Sequence, residues 1–230
     1  MNIKKLSIVI PVFNESKTIE KVIKRVEGAD LGKIKKEIII VDDGSTDGTR
    51  EILKKFVNKY MVVYNQKNQG KGTALRSGFK KCTGEAVVMQ DADLEYDPRD
   101  LKKMLEEMER KEISVVYGSR RLTGGKIKHG GWLFYWGGSF LNLLTNFLYG
   151  IKITDEATCY KMIDRKLLNS LDLKCKRFEF CPEVTAKIAK RGQNIVEVPI
   201  SYNGRRKEEG KKIRLRDGVE AIWTLMKYRW

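Results

Sequence analysis

Residues 85–95 read Glu-Ala-Val-Val-Met-Gln-Asp-Ala-Asp-Leu-Glu, a short apolar run that ends in acidic residues spaced two apart. The apolar part predicts a buried strand over 86–91, with Asp91 at its end. In extended backbone alternate side chains face the same way, so Asp91, Asp93 and Glu95 can all point into one site. Hard oxygen donors of this kind suit Mg²⁺ or Mn²⁺, ions that keep several waters and bridge substrate phosphates. Capping of a helix that begins at Pro98 needs only one short polar side chain, such as Asp97, and leaves the other three carboxylates unexplained.

Working outward, β-branched runs at 6–11, 37–42, 61–65 and 113–117 alternate with helical patterns at 17–27, 46–59, 73–81 and 98–110. Such alternation predicts an α/β fold, a mostly parallel sheet with helices on both faces. Ligands on these sheets bind beyond the carboxyl ends of the strands. Asn14-Glu15, Asp42-Asp43-Gly44-Ser45 and Asp91-Ala92-Asp93 each follow a predicted strand, so three acidic or amide clusters converge on one sheet edge. The second half is less regular, with strands expected at 159–163 and 195–199, a helix at 182–191, a basic loop over 205–216 and a last amphipathic helix to Trp230. No linker or internal repeat divides the chain, which predicts one domain over 1–230.

The chain carries 46 Lys and Arg against 30 Asp and Glu, a formal charge of +16, with 41% hydrophobic residues. Disorder is excluded by that composition, and an anionic partner is expected. Residues 1–100 hold 19 basic and 15 acidic groups and residues 101–230 hold 27 and 15, so +12 of the excess lies in the second half. No G-x-G-x-x-G follows the first strand, and Gly70-Lys71 lacks the earlier glycine of a phosphate-binding P-loop. Acidic strand ends repel bare phosphate, so such a site works through a cation. The four cysteines show no metal or disulfide spacing, and no signal peptide precedes the first strand, which predicts a cytoplasmic chain.

Residues 130–151 hold no charged side chain, long enough to span a bilayer. Ser139, Asn142, Thr145, Asn146 and Tyr149 nevertheless fall on one helical stripe, and Phe140, Leu143, Leu144, Phe147 and Leu148 on the opposite one. That pattern predicts an amphipathic helix, buried in the core or facing a membrane, rather than a transmembrane span. In the last helix Leu215, Val219, Ile222, Trp223 and Met226 share a face that core packing accounts for, and the flanking Arg216, Lys227, Arg229 and Trp230 also allow docking on an anionic membrane surface.

Six segments in order resemble the family 2 glycosyltransferases of the GT-A fold: Pro11-Val-Phe-Asn-Glu15, Val41-Asp-Asp-Gly-Ser-Thr-Asp-Gly48, Asn68-Gln-Gly-Lys-Gly72, Asp91-Ala-Asp93, Gly118-Ser-Arg120 and Glu197-Val-Pro-Ile200. Within that family the chain is similar to the dolichyl-phosphate mannose synthase group. The resemblance implies a GT-A, Rossmann-like sheet, with a nucleotide-sugar half at about 1–117 and an acceptor half at about 118–230. It implies transfer of mannose from GDP-mannose to a polyprenyl (dolichyl) phosphate, with UDP-glucose as the alternative donor. Pro11, Phe13, Glu15, Ile40 and Asp42 would line base and ribose, and Asp91 and Ala92 would lie by ribose and diphosphate. Asp93 and Glu95, with Asp91, would hold Mg²⁺ or Mn²⁺; relatives more often carry Gln at the position of Glu95. Arg205 and Lys211 would belong to a loop that closes over the pyrophosphate. Arg120 and Ser139 would face the acceptor phosphate, with Asp91 and Arg120 at the reaction centre.

A lipid phosphate is already an anion, so the reaction needs in-line positioning rather than a general base, and His129 is left as a surface histidine. Two features depart from the group. The arginines usual ahead of the acceptor serine are replaced at 132–136 by Trp-Leu-Phe-Tyr-Trp, with Arg121, Lys126 or Lys128 as substitutes. The membrane helices that many relatives carry at the carboxyl terminus are missing, which predicts peripheral attachment to the cytoplasmic face of a membrane, alone or through a small membrane partner. A basic nucleic-acid-binding module is the competing class, opposed by the acidic clusters; an inactive scaffold is opposed by the intact carboxylate trio.

Overall fold

The computed structural model describes residues 2–122, 132–205 and 215–230. Among these residues seven strands form one sheet: β1 (Lys5–Val12), β2 (Lys35–Asp42), β3 (Met61–Tyr64), β4 (Ala86–Met89), β5 (Val115–Ser119), β6 (Lys161–Asp164) and β7 (Val196–Pro199). Their order is β3-β2-β1-β4-β6-β5-β7. Pairing is parallel everywhere except at β6, which runs antiparallel to both β4 and β5. The expected mostly parallel α/β sheet is therefore present. The chain winds outward through β2 and β3 before β4 returns to the other side of β1, which makes the β1–β4 junction the switch point where ligands bind.

The helices are α1 (Ile19–Gly28), α2 (Thr49–Leu53), α3 (Lys71–Phe79), α4 (Asp100–Arg110), α5 (Trp132–Tyr149), α6 (Arg165–Ser170), α7 (Phe180–Lys190) and α8 (Leu215–Lys227). Helix α1 buries Ile19, Val22, Ile23 and Val26, and α4 buries Leu101, Met104, Leu105 and Met108, each a regular helical stripe. Each such side chain contributes roughly 1.5–3 kcal/mol when fully buried. Helix α3 lies flush on β1 because residue 78 is glycine: a Cβ there would collide with the side chain of Val9.

Helix α2 starts later than the pattern over 46–59 suggests. Asp47 takes hydrogen bonds from the Ser16 and Thr49 backbone N–H groups, and Gly48 turns at φ 90°, so helical geometry begins only at Thr49 and tightens into a 3-10 turn at Lys54–Phe56. Helix α6 was not expected from periodicity, being too short to show any.

Two amphipathic helices divide their apolar residues between core and surface. The polar stripe of α5 points inward: Asn142 and Asn146 bond the backbone of Ile153, Thr154 and Glu156, and Thr145 is fully buried. Its apolar stripe is divided: Leu144 and Leu148 pack against the core, while Leu143 is 69% and Phe147 83% exposed. The α8 stripe is divided in the same way: Ile222 packs against the core as expected, but Val219 is 68% and Trp223 66% exposed, while Asp217, Ala221, Thr224 and Leu225 are buried. Leu141, Ala186, Ala221 and Leu225 form the small core that joins α5, α7 and α8.

Candidate active site

A cavity of about 930 Å³ opens at the carboxyl ends of β1 and β4. Its wall includes Pro11, Phe13 and Glu15 after β1, and Asp91, Ala92 and Asp93 after β4. Two residues expected there are elsewhere. Ile40 is fully buried in the core, and Asp42 is sealed beneath the wall by Arg50, whose Nε lies 2.6 Å from Asp42 Oδ2. Asp43 lines the cavity instead. It accepts hydrogen bonds from Asn65 Nδ2 (2.8 Å) and from the backbone N–H groups of Gln69 (3.0 Å) and Gly70 (2.7 Å), which seats the 68–72 loop at the cavity. Strand parity carried that signal, since Asp42 shares its face with Ile40.

The three carboxylates after β4 do not alternate along one extended strand. Residues Ala92 and Asp93 form a turn, and Leu94 takes φ 65°, so the side chains diverge. Asp91 turns to Lys71, Oδ1 to Nζ 2.5 Å, with Cys159 Sγ 3.4 Å from the same nitrogen. Burial works against the Lys71 charge, but the adjacent Asp91 carboxylate overrides it and holds the ammonium well above its ordinary pKa.

Asp93 and Glu95 face Arg205 together with Glu15. The guanidinium reaches Glu15 at 3.1 and 3.2 Å, Asp93 Oδ2 at 3.2 Å and Glu95 Oε1 at 3.6 Å. The segment after β7 is stitched on more tightly: the Arg205 N–H donates to Glu95 Oε1 (2.7 Å), the Tyr202 hydroxyl to Glu95 Oε2 (2.6 Å) and the Asn203 N–H to the Glu95 carbonyl (2.9 Å). Burial, then the neighbouring Asp91 and Glu95 carboxylates, push Asp93 up to about 7, and Arg205 only partly offsets them.

As arranged, the expected trio is not a metal cage; among the described residues no three His, Cys, Asp or Glu stand close enough to hold one ion. The donor chemistry still fits a divalent cation. With all four ionised, Glu15, Asp91, Asp93 and Glu95 set four carboxylates against Lys71 and Arg205, a deficit equal to the charge of one such ion. Burial accounts for the larger part of the raised Asp93 carboxyl, and the same crowding of negative charge, from Asp91 and Glu95, adds to it.

On the far wall Arg120 is held in a two-pronged pair with Asp155, at 2.7 Å (Nε–Oδ2) and 2.6 Å (Nη2–Oδ1), with its guanidinium 5.0 Å from the centre of the Tyr202 ring. Arg120 and Ser139 are not brought together: Arg121, the next residue, donates to Ser139 Oγ at 2.8 Å. Both arginines line the cavity, beside Gly137 and Gly138 of α5. Arg121 was expected only as a substitute for the missing acceptor arginines; Asp155 and Tyr202 were the members that sequence reasoning missed, Asp155 marked only by polarity just after the long uncharged run and Tyr202 by nothing local. Lys126, Lys128, His129 and Lys211 lie outside the described residues.

Phe140 of α5 and Val219 of α8 both line the cavity and are both exposed, so they stand at its mouth. From Phe140 the outer stripe continues through Leu143 and Phe147, and from Val219 through Trp223, Met226 and Trp230, all exposed. Arg216, Lys227 and Arg229 are exposed on or just beyond α8. Among the described residues no helix is long and apolar enough to cross a membrane.

The chain is similar to several known proteins. Over an alignment of 236 positions the chain is 29% identical to a dolichol-phosphate mannosyltransferase of Pyrococcus furiosus, covering 97% of this chain and 64% of that protein. It is 28% identical over 205 residues to a dodecaprenyl-phosphate galacturonate synthase of Rhizobium johnstonii, covering 87% of this chain and 59% of that one. The chain thus spans about three fifths of the length of these relatives. Its fold matches the crystal structure of glucosyl-3-phosphoglycerate synthase from Mycobacterium tuberculosis in complex with Mn²⁺, UDP-glucose and phosphoglyceric acid, with a TM-score of 0.76 at 22% identity over 98% of this chain and 80% of that one. That neighbour is a GT-A glycosyltransferase, so the GT-A fold expected from the motifs is the fold observed. The family model for glycosyl transferase family 2 matches residues 7–172, nearly three quarters of the chain, and the protein belongs to that family.

Proposed function

We propose that this chain transfers a hexose, with inversion, from a nucleotide sugar to a polyprenyl phosphate held at a membrane surface. One observation carries the reading: a single cavity runs from the acidic switch point to a mouth framed by the outward apolar stripes of α5 and α8. A soluble acceptor gives no reason for such a mouth, whereas an isoprenoid tail does. The excess of positive charge in the second half suits an anionic lipid surface. Attachment is peripheral, at the cytoplasmic face, and residues 1–230 act as one catalytic domain.

Donor binding falls to the β1 and β4 ends. Pro11, Phe13 and Asp43 bound the space for the base and ribose. Asp91, oriented by Lys71, accepts hydrogen bonds from hydroxyl groups of the donor. Asp93 and Glu95 would hold Mg²⁺ or Mn²⁺, which supplies Lewis-acid neutralisation of the leaving diphosphate. Arg205, with Lys211, supplies further positive charge to that diphosphate. Arg120 and Arg121 receive the acceptor phosphate, and the Asp155 pair fixes the Arg120 fork. No general base is needed, because the attacking phosphate oxygen is already ionised.

GDP-mannose is the favoured donor, supported by the similarity to a mannosyltransferase along nearly the whole chain. UDP-glucose is the second reading, favoured by the fold neighbour that binds it. Thermal unfolding with GDP or UDP, with and without Mn²⁺, separates them. A nucleotide at 100 times its dissociation constant stabilises by about 2.7 kcal/mol. Mn²⁺-dependent stabilisation by GDP alone is expected; stabilisation by UDP alone reverses the donor, and by neither removes the nucleotide site.

A further inference from the structure

We infer that Arg205 is a built-in competitor of the divalent cation, with its guanidinium lodged among Glu15, Asp93 and Glu95 so that metal alone meets an occupied site. This rests on the metal-dependent reading above and adds an order to it: the ion enters with, or after, a diphosphate that offers Arg205 another anion.

The contacts divide into two kinds. Those that station the segment are short, namely the Arg205 N–H and the Tyr202 hydroxyl on the two oxygens of Glu95 at 2.7 and 2.6 Å. Those of the guanidinium are long, 3.1–3.6 Å, and shared among three carboxylates. Charge-assisted bonds in good geometry run at about 2.7–2.9 Å. The Arg205 Nε is buried without a hydrogen-bond partner. Backbone and tyrosine therefore hold the strap in place, while the charged fork is spread across partners that it fits poorly and can leave. Asp93 and Glu95, the two residues suited to hold the ion, are both engaged by Arg205. Glu95 adds a further charge to the cluster and anchors the strap with both of its oxygens.

Direct titration of the full chain with Mn²⁺ alone, read by the electron paramagnetic resonance of the free ion, tests this without any turnover. Arg205→Gln is expected to bind Mn²⁺ about tenfold more tightly than the wild type, about 1.4 kcal/mol, with Arg205→Lys in between. GDP or UDP is expected to narrow that gap. Unchanged or weaker Mn²⁺ binding by both variants, with melting curves showing that they fold, overturns the competitor role. Absence of Mn²⁺ binding by every protein, even with nucleotide, instead overturns the metal-dependent reading and the inference with it.

Discussion

Lys71 and Asp91 form an ion pair of 2.5 Å at the point where α3 meets the end of β4. Both side chains are more than four-fifths buried, so each is the other's main compensation. Lys71→Met leaves the carboxylate uncompensated and is expected to cost about 1–3 kcal/mol in urea unfolding, less than the 3–5 kcal/mol of a fully enclosed pair. Adding Asp91→Asn should recover part of that loss, because the unpaired charge is then gone. A double variant as unstable as the two single losses summed would show that the pair is not coupled.

Asp93 makes the stability of the metal-free protein depend on pH between its unfolded value of 3.8 and about 7. Its carboxyl is raised from 3.8 to about 7 in the folded chain, so the native state binds the proton more tightly than the unfolded state. The stabilisation from that proton is complete below the unfolded value and is lost as pH rises through 7, with a slope of at most about 1.4 kcal/mol per pH unit. Mn²⁺ needs the ionised form, so its affinity should rise with pH up to about 7 and then level off. Calorimetry in buffers of different ionisation enthalpy reads the released proton directly. Asp93→Asn should abolish that release.

Asp155 is almost fully enclosed and is the two-pronged partner of Arg120. Asp155→Ala strands a buried guanidinium and is expected to cost about 3–5 kcal/mol. Removing the exposed Lys24 partner of Glu20 should leave unfolding unchanged within error. Comparable losses at the two positions would mean that the Arg120 pair is far more hydrated than its burial indicates.

The outward stripes of α5 and α8 separate attachment from stability. Leu143, Phe147 and Trp223 are at least 66% exposed, so each change to Glu should alter stability by less than about 0.5 kcal/mol. Flotation with anionic phospholipid vesicles should show binding by the wild type and loss in the triple variant. Vesicle binding that survives all three changes would place the membrane contact elsewhere.

Much of this site can be read from local sequence, because three strand-end clusters on a parallel sheet must meet at one edge. What escaped is set by geometry that spacing does not encode. The turn at Ala92 and Asp93 parts Asp91 from Asp93 and Glu95. One step of strand parity exchanges Asp42 for Asp43 at the cavity. Helical periodicity finds the stripes of α5 and α8 but not which side meets the core, because asparagines can face inward when backbone groups are waiting for them. Arg205 and Glu15 lie 190 positions apart, and nothing local to either predicts the other.

The central claim is tested most directly by supplying the chain with Mn²⁺, polyprenyl phosphate in anionic vesicles, and radiolabelled nucleotide sugars one at a time. Lipid-linked sugar in the organic phase, strongest with GDP-mannose and lost in Asp93→Ala, is the result this account predicts. No lipid-linked product with any nucleotide sugar, or label passing only to a soluble phosphorylated acceptor such as phosphoglycerate, would contradict it.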